Sequence, residues 1–167
     1  PTGKPTRLVI YCHGMWDALT ESTTTRTTPV TELVKLGYAV LDMNGIPADF
    51  YKEVTGDTSS ANEGNHFGNE LALQSYFKAY QYAINNYNLY KEVFVCGLSM
   101  GGLTALMISQ QNNISVLANG LYSPVTDLFK QMFPLGTTIC GKLFGFDDVS
   151  NYANANEWYL ANIDKTM

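Results

Sequence analysis

Along the chain, short runs of consecutive apolar residues alternate with longer segments whose apolar positions recur every three or four residues. Leu8 to Cys12 (LVIYC), Tyr38 to Met43 (YAVLDM), Val93 to Cys96 (VFVC) and Val116 to Leu121 (VLANGL) are strand-length runs, and the first suits a strand covered on both faces. Between positions 68 and 87, Leu73, Tyr76, Phe77, Tyr80, Ala83, Ile84 and Tyr87 recur at helical spacing and predict an amphipathic helix laid on a sheet. A short helix is expected to open at Thr28-Pro29, a capping residue followed by proline, and to stop at Gly37. Another is expected from Met100 to Gln111, while the polar stretch from Asn44 to Asn65 reads as a long loop. Loops of that length in compact domains usually serve function.

Strand and helix therefore alternate, which predicts parallel strands joined by right-handed crossovers. The expected fold class is α/β: an open, mostly parallel sheet flanked by helices, with a site at the carboxyl ends of the strands. Residues 1–128 form the expected core. Beyond Pro124 the pattern breaks into aromatic, Gly- and Asn-containing pieces with no clear strand, and 129–167 reads as a lid-like or crossover helical segment.

Composition narrows the function classes. With 46% apolar and only 15% charged residues in 167, the chain lies far from the disordered corner and can bury one sizeable core. A formal net charge of −5, with no run among its ten Lys and Arg, argues against a nucleic-acid partner. No apolar run approaches the length of a membrane span, so a soluble protein is expected, cytoplasmic or secreted alike. Three cysteines, Cys12, Cys96 and Cys140, show no CxxC spacing, which disfavours a disulfide framework and a zinc site. Cys12 and Cys96 each end a strand-like run and read as buried, inert thiols.

Chemistry concentrates at Gly97-Leu98-Ser99-Met100-Gly101. This is a G-x-S-x-G pattern with an apolar strand before it and a helix after it, the context the pattern needs. A serine at the apex of so sharp a turn takes strained backbone angles, and its neighbours must be nearly bare so that strand and helix do not collide. Ser99 is the candidate nucleophile. The backbone N–H of Met100, at the helix start, is one candidate donor to the oxyanion formed when a carbonyl is attacked. His13-Gly14-Met15-Trp16 follows the first strand directly, and the Met15 N–H is the second candidate donor. His13, Gly14, Trp16 and His66 are the candidate substrate-binding residues, with His66 expected to begin the long helix beside the turn. An alternative reading has His13 simply bonding to loop backbone while Gly14 makes a turn. Trp16, Phe67, Phe129, Phe133 and Phe144 hint at an apolar pocket, although such aromatics also suit a core.

The strand-HG loop, the YAVLD strand, the helix near His66 and the VCGLSMGG turn together resemble the α/β-hydrolase fold over most of Leu8 to Leu128. The resemblance implies a serine hydrolase of the esterase, lipase or peptidase kind, working through an acyl-enzyme on a Ser, Asp or Glu, His triad in that chain order. The chain departs from that order, since its two histidines both precede Ser99. Asp127 suits a helix N-cap better than a triad acid, and Asp147 and Asp148 a solvated pair. The acid and base are therefore expected beyond this chain, which reads as the front part of such an enzyme, weakly active or inactive alone. A catalytically inactive binding or structural module and an acyltransferase using the same turn are the alternatives. The expected substrate is a small-molecule or peptide carbonyl, and the mechanism needs no metal or cofactor.

Overall fold

A computed structural model describes residues 3–15, 28–59, 64–126, 142–143 and 157. Four strands form one sheet: β1 (Leu8–Cys12), β2 (Ala39–Asp42), β3 (Val93–Leu98) and β4 (Val116–Tyr122). Its order is β2-β1-β3-β4, and every neighbouring pair is parallel. The helices are α1 (Thr28–Lys35), α2 (Ala48–Thr55), α3 (Glu70–Asn86) and α4 (Met100–Gln110). The expected α/β fold is thus observed, a parallel sheet flanked by helices.

The apolar run of β1 is explained by its place. All five residues are buried, because strands pair along both edges and other side chains cover both faces. Leu8, Ile10 and Cys12 point one way with Val93 and Val95 of β3, and onto them pack Leu73, Tyr76, Tyr80 and Ala83 of α3 and Ala105 and Ile108 of α4. That alternation in the strands and three-to-four spacing in the helix are the two periodicities meeting. At the carboxyl end of the sheet a second cluster joins Ile46, Tyr51, Phe67, Ala72, Met100, Val125 and Leu143, with Met15, Phe50 and Leu103 against it.

Strand order fixes where a ligand site belongs. The chain passes from β1 outward to β2, then crosses back over β1 to place β3 on its other side. Between β1 and β3 the direction of winding reverses, and in open α/β sheets ligand sites lie at the carboxyl ends of the strands at such a point. The loops concerned are His13 to Met15 and the turn at Ser99.

Three expectations need correction. The segment from Asn44 to Asn65 is not all loop, since it contains α2. Pro47 precedes that helix, and Gly56 ends it at φ 74°, donating its N–H to Lys52 O. Only Tyr51 and Thr55 are buried, a single i, i+4 pair, so the sequence carries no apolar stripe there. The long helix begins at Glu70 and not at His66, because Asn69 caps it by accepting the Ala72 N–H at 3.0 Å. Cys96 is half-buried and lies inside β3, two residues before its end. Past Val116 the residues of β4 are exposed.

Candidate functional site

Ser99 joins β3 to α4 at φ 52° and ψ −115°, a left-handed φ that a residue with a Cβ seldom adopts. The turn is held tightly enough to keep it there. Ser99 N–H donates to Tyr122 O at 3.0 Å, and Ser99 O accepts from the N–H groups of Gly102 and Val125, each at 2.9 Å. The turn after β4 therefore braces the turn before α4, and Ser123 in that brace has φ 43°.

Bare neighbours allow the close approach. A methyl group on Gly97 would overlap Gly101 O and lie 2.5 Å from its carbonyl carbon; on Gly101 it would overlap Cys12 O and lie 2.5 Å from His13 O. On Gly102 it would lie 2.5 Å from Pro124 Cβ. Real Cβ atoms do not come so near their neighbours, so the three glycines set the spacing of strand, helix and brace. The start of α4 thereby rests directly on the end of β1, bringing the Ser99-Met100 turn against the His13-Gly14 loop.

His13 and Gly14 are both buried. His13 Nδ1 lies 2.7 Å from Gly14 O, and because a carbonyl only accepts, that nitrogen carries the proton. In a trans peptide the C=O and N–H point opposite ways, so a bond holding Gly14 O toward the imidazole turns the Met15 N–H away from it. The Met15 N–H makes no hydrogen bond among the described residues. Met100 is the first residue of α4, where N–H groups lack an intrahelical acceptor. Its side chain is fully buried, and its sulfur accepts the His66 N–H at 3.4 Å.

His66 comes to this cluster from the turn before α3. Its Nδ1 accepts the Gly68 N–H at 3.0 Å, and its ring meets that of His13 edge to face, centroids 5.9 Å apart. Burial, with His13 beside it, lowers its pKa to about 3, so the ring is neutral. Among the described residues Ser99 makes only backbone hydrogen bonds, so neither imidazole is bonded to its hydroxyl. Trp16, Phe129, Phe133, Phe144, Asp127, Asp147, Asp148 and Cys140 lie outside the described residues, and Phe67 is a core residue, 1% exposed.

No family model matches the chain, and no curated protein does. Among solved structures, a capsule O-acetyltransferase of Neisseria meningitidis serogroup A is similar at 19% identity and a TM-score of 0.49, the match covering 96% of this chain and 62% of that one. The chain thus spans less than two thirds of that protein's length.

Other reactive groups near the site are muted. Burial pushes the Cys12 thiol well above its usual range, outweighing the lowering effect of the neighbouring Tyr76 hydroxyl, and burial also raises Cys96. Neither thiol supplies a thiolate near neutral pH. Among the described residues no group of three or more His, Cys, Asp or Glu could hold a metal ion, and no helix is long and apolar enough to cross a membrane. Sequence reasoning missed the brace from Tyr122 and Val125.

Proposed function

We propose that this chain bears the nucleophile of a serine acyl-transfer enzyme acting on an ester or amide carbonyl. Ser99 Oγ adds to the carbonyl carbon, the carbonyl oxygen takes the negative charge, and the Met15 and Met100 N–H groups stabilise it. When the tetrahedral species collapses, the bond to the leaving alcohol or amine breaks, that group departs with a proton, and an acyl-enzyme remains. Water then releases the acid as in a serine hydrolase, or an alcohol takes the acyl group as in a transferase. The base that takes the Ser99 proton is a residue other than His13 and His66: both rings are fully buried, and neither is hydrogen-bonded to Ser99.

One observation carries this reading. Ser99 holds a strained left-handed conformation at the winding reversal of a parallel sheet, and glycines on both sides admit the backbone that holds it. Strain of this kind costs about 1–3 kcal/mol and persists where the surroundings over-determine it, most often at functional sites.

The test is labelling of the full-length polypeptide with a fluorophosphonate. A single adduct on Ser99, reduced roughly 10^3-fold or more in Ser99→Ala, is the expected result. Absence of labelling in a folded protein would favour an inactive binding module. Ester product on adding an alcohol acceptor, in place of free acid, would assign the transferase.

A further inference from the structure

The two buried histidines are not explained by the reaction. Each has one ring nitrogen with a settled role. His13 Nδ1–H donates to Gly14 O, which leaves its Nε2 as a bare acceptor; His66 Nδ1 accepts from Gly68 N–H, which in a neutral ring leaves the proton on Nε2. Both rings are 0% exposed, and both Nε2 atoms are buried without a hydrogen-bond partner. One orphan is therefore a donor and the other an acceptor. Had both rings carried the same tautomer, they could not have satisfied each other.

Backbone crowds both rings, and the Asn44 side-chain amide lies near His13, 3.1 Å from where a methyl group on Gly64 would sit. A methyl group on Gly45 would lie 2.7 Å from His66 Nε2, and one on Gly64 would lie 2.9 Å from His13 Nε2, so glycine backbone is packed against each ring edge. The ring centroids are 5.9 Å apart. A direct bond needs about 5 Å, from an N···N separation near 2.9 Å plus the reach of the two rings. The bond therefore requires the rings to close by under about an ångström and to turn their Nε2 atoms toward each other, a side-chain motion.

We propose that His66 is a positioning residue: its Nε2–H donates to His13 Nε2 and so locks His13 in the tautomer that holds the Gly14–Met15 peptide. The chain of donors then runs one way, from Gly68 N–H to His66, from His66 to His13, and from His13 to Gly14 O, with the Met15 N–H facing out at the far end. Bonds aligned head to tail polarise one another, so such a chain is firmer than its links taken singly. If His13 instead carried its proton on Nε2, its Nδ1 lone pair would face the Gly14 oxygen, and the peptide would be free to turn. His66 thus ties the turn before α3 to the loop after β1. The value of holding Met15 rests on the acyl-transfer reading, but the tautomer lock does not.

Long-range proton–nitrogen NMR of the histidine rings at neutral pH tests it in the unaltered protein. The expected spectrum shows His13 protonated at Nδ1 only and His66 at Nε2 only, with the His66 ring proton slow to exchange. Both rings protonated at Nε2, or a His66 ring proton that exchanges as fast as an exposed one, would overturn the proposal. In His66→Phe the Met15 amide should shift and exchange roughly tenfold faster or more, whereas His66→Gln, which keeps an N–H donor, should restore most of the protection. A Phe variant with unchanged Met15 amide and His13 tautomer overturns the positioning role. If that variant does not fold, the unaltered protein's ring spectrum decides. Failure of Ser99 to react with a fluorophosphonate, with these spectra as expected, would sink the acyl-transfer reading and leave the lock standing.

Discussion

Replacing Gly101 with alanine separates the structural account from simple helix propensity, because the two disagree in sign. Gly101 is the second residue of α4, and within a helix alanine is favoured over glycine by up to about 1 kcal/mol. Propensity alone therefore expects a more stable protein. The added methyl, however, would overlap Cys12 O and lie 2.5 Å from His13 O, and both are backbone atoms at the end of the most buried strand. A flexible side chain could swing aside; these carbonyls move only if α4 lifts off β1. Overpacking against rigid surroundings costs about 1–3 kcal/mol, occasionally more, and the upper part of that range applies here. After subtracting the propensity gain, the net loss is about 2 kcal/mol. At roughly 2–4 °C per kcal/mol for a domain of this size, the melting temperature should fall by about 4–8 °C, and the urea midpoint by about 1 M. Gly3→Ala is the matched control, since nothing lies within 4 Å of a methyl there, and it should stay within about 0.5 kcal/mol of the parent. Equilibrium urea unfolding of the three proteins side by side is the assay. A Gly101→Ala protein as stable as the parent, or more so, would refute the claim that α4 rests on the β1 carbonyls.

The remaining predictions follow from the same contacts. Ser99→Gly should raise stability by about 1–3 kcal/mol by relieving the left-handed φ of 52°, whereas Ser99→Ala keeps the strain and should change little; calorimetry distinguishes them. His66, with a folded pKa of about 3 against 6.5, refuses a proton that the unfolded chain accepts. Its contribution is complete above about pH 6.5 and should be lost as pH falls toward 3, at up to about 1.4 kcal/mol per pH unit. His66→Phe should flatten that part of the stability profile. Asn69→Ala removes the acceptor for Ala72 N–H and the donor to Leu143 O, 3.2 Å away, and should cost about 1–2 kcal/mol in urea unfolding.

What could be read from the sequence, and what could not, divides along a physical line. Strand β1 and helix α3 were plain because burial imposes a period on residue types: five apolar residues in a central strand, and Ala72, Leu73, Tyr76, Tyr80 and Ala83 on one helical face. The Ser99 turn was plain because steric crowding there admits only glycine at its flanks. Helix α2 left no such mark, since two buried residues do not make a stripe. The brace on Ser99 left none either, because it is made of backbone groups of Tyr122 and Val125, and any residue type except proline at a donor position could supply them. The meeting of His13 with His66 depends on the β2 crossover bringing distant segments together, and no local pattern encodes that.

The same line bears on how the site tolerates change. Every interaction found to hold Ser99 is either backbone to backbone or a glycine contact: the bonds to Tyr122, Gly102 and Val125, and the approaches of Gly97, Gly101 and Gly102. Side chains enter one layer out, in Met100, Phe67, Tyr51 and Val125 of the second core cluster. On the proposed acyl-transfer reading, a nucleophile fixed by main chain is insensitive to side chains around it, which would be free to vary with the substrate while the attacking oxygen keeps its place. The glycines have no such freedom, since a methyl group on any of the three meets a neighbouring backbone or proline atom at 2.5 Å or less. On that reading specificity and reactivity would be carried by different atoms of the same loops, so that the turn is legible in the sequence while the substrate is not.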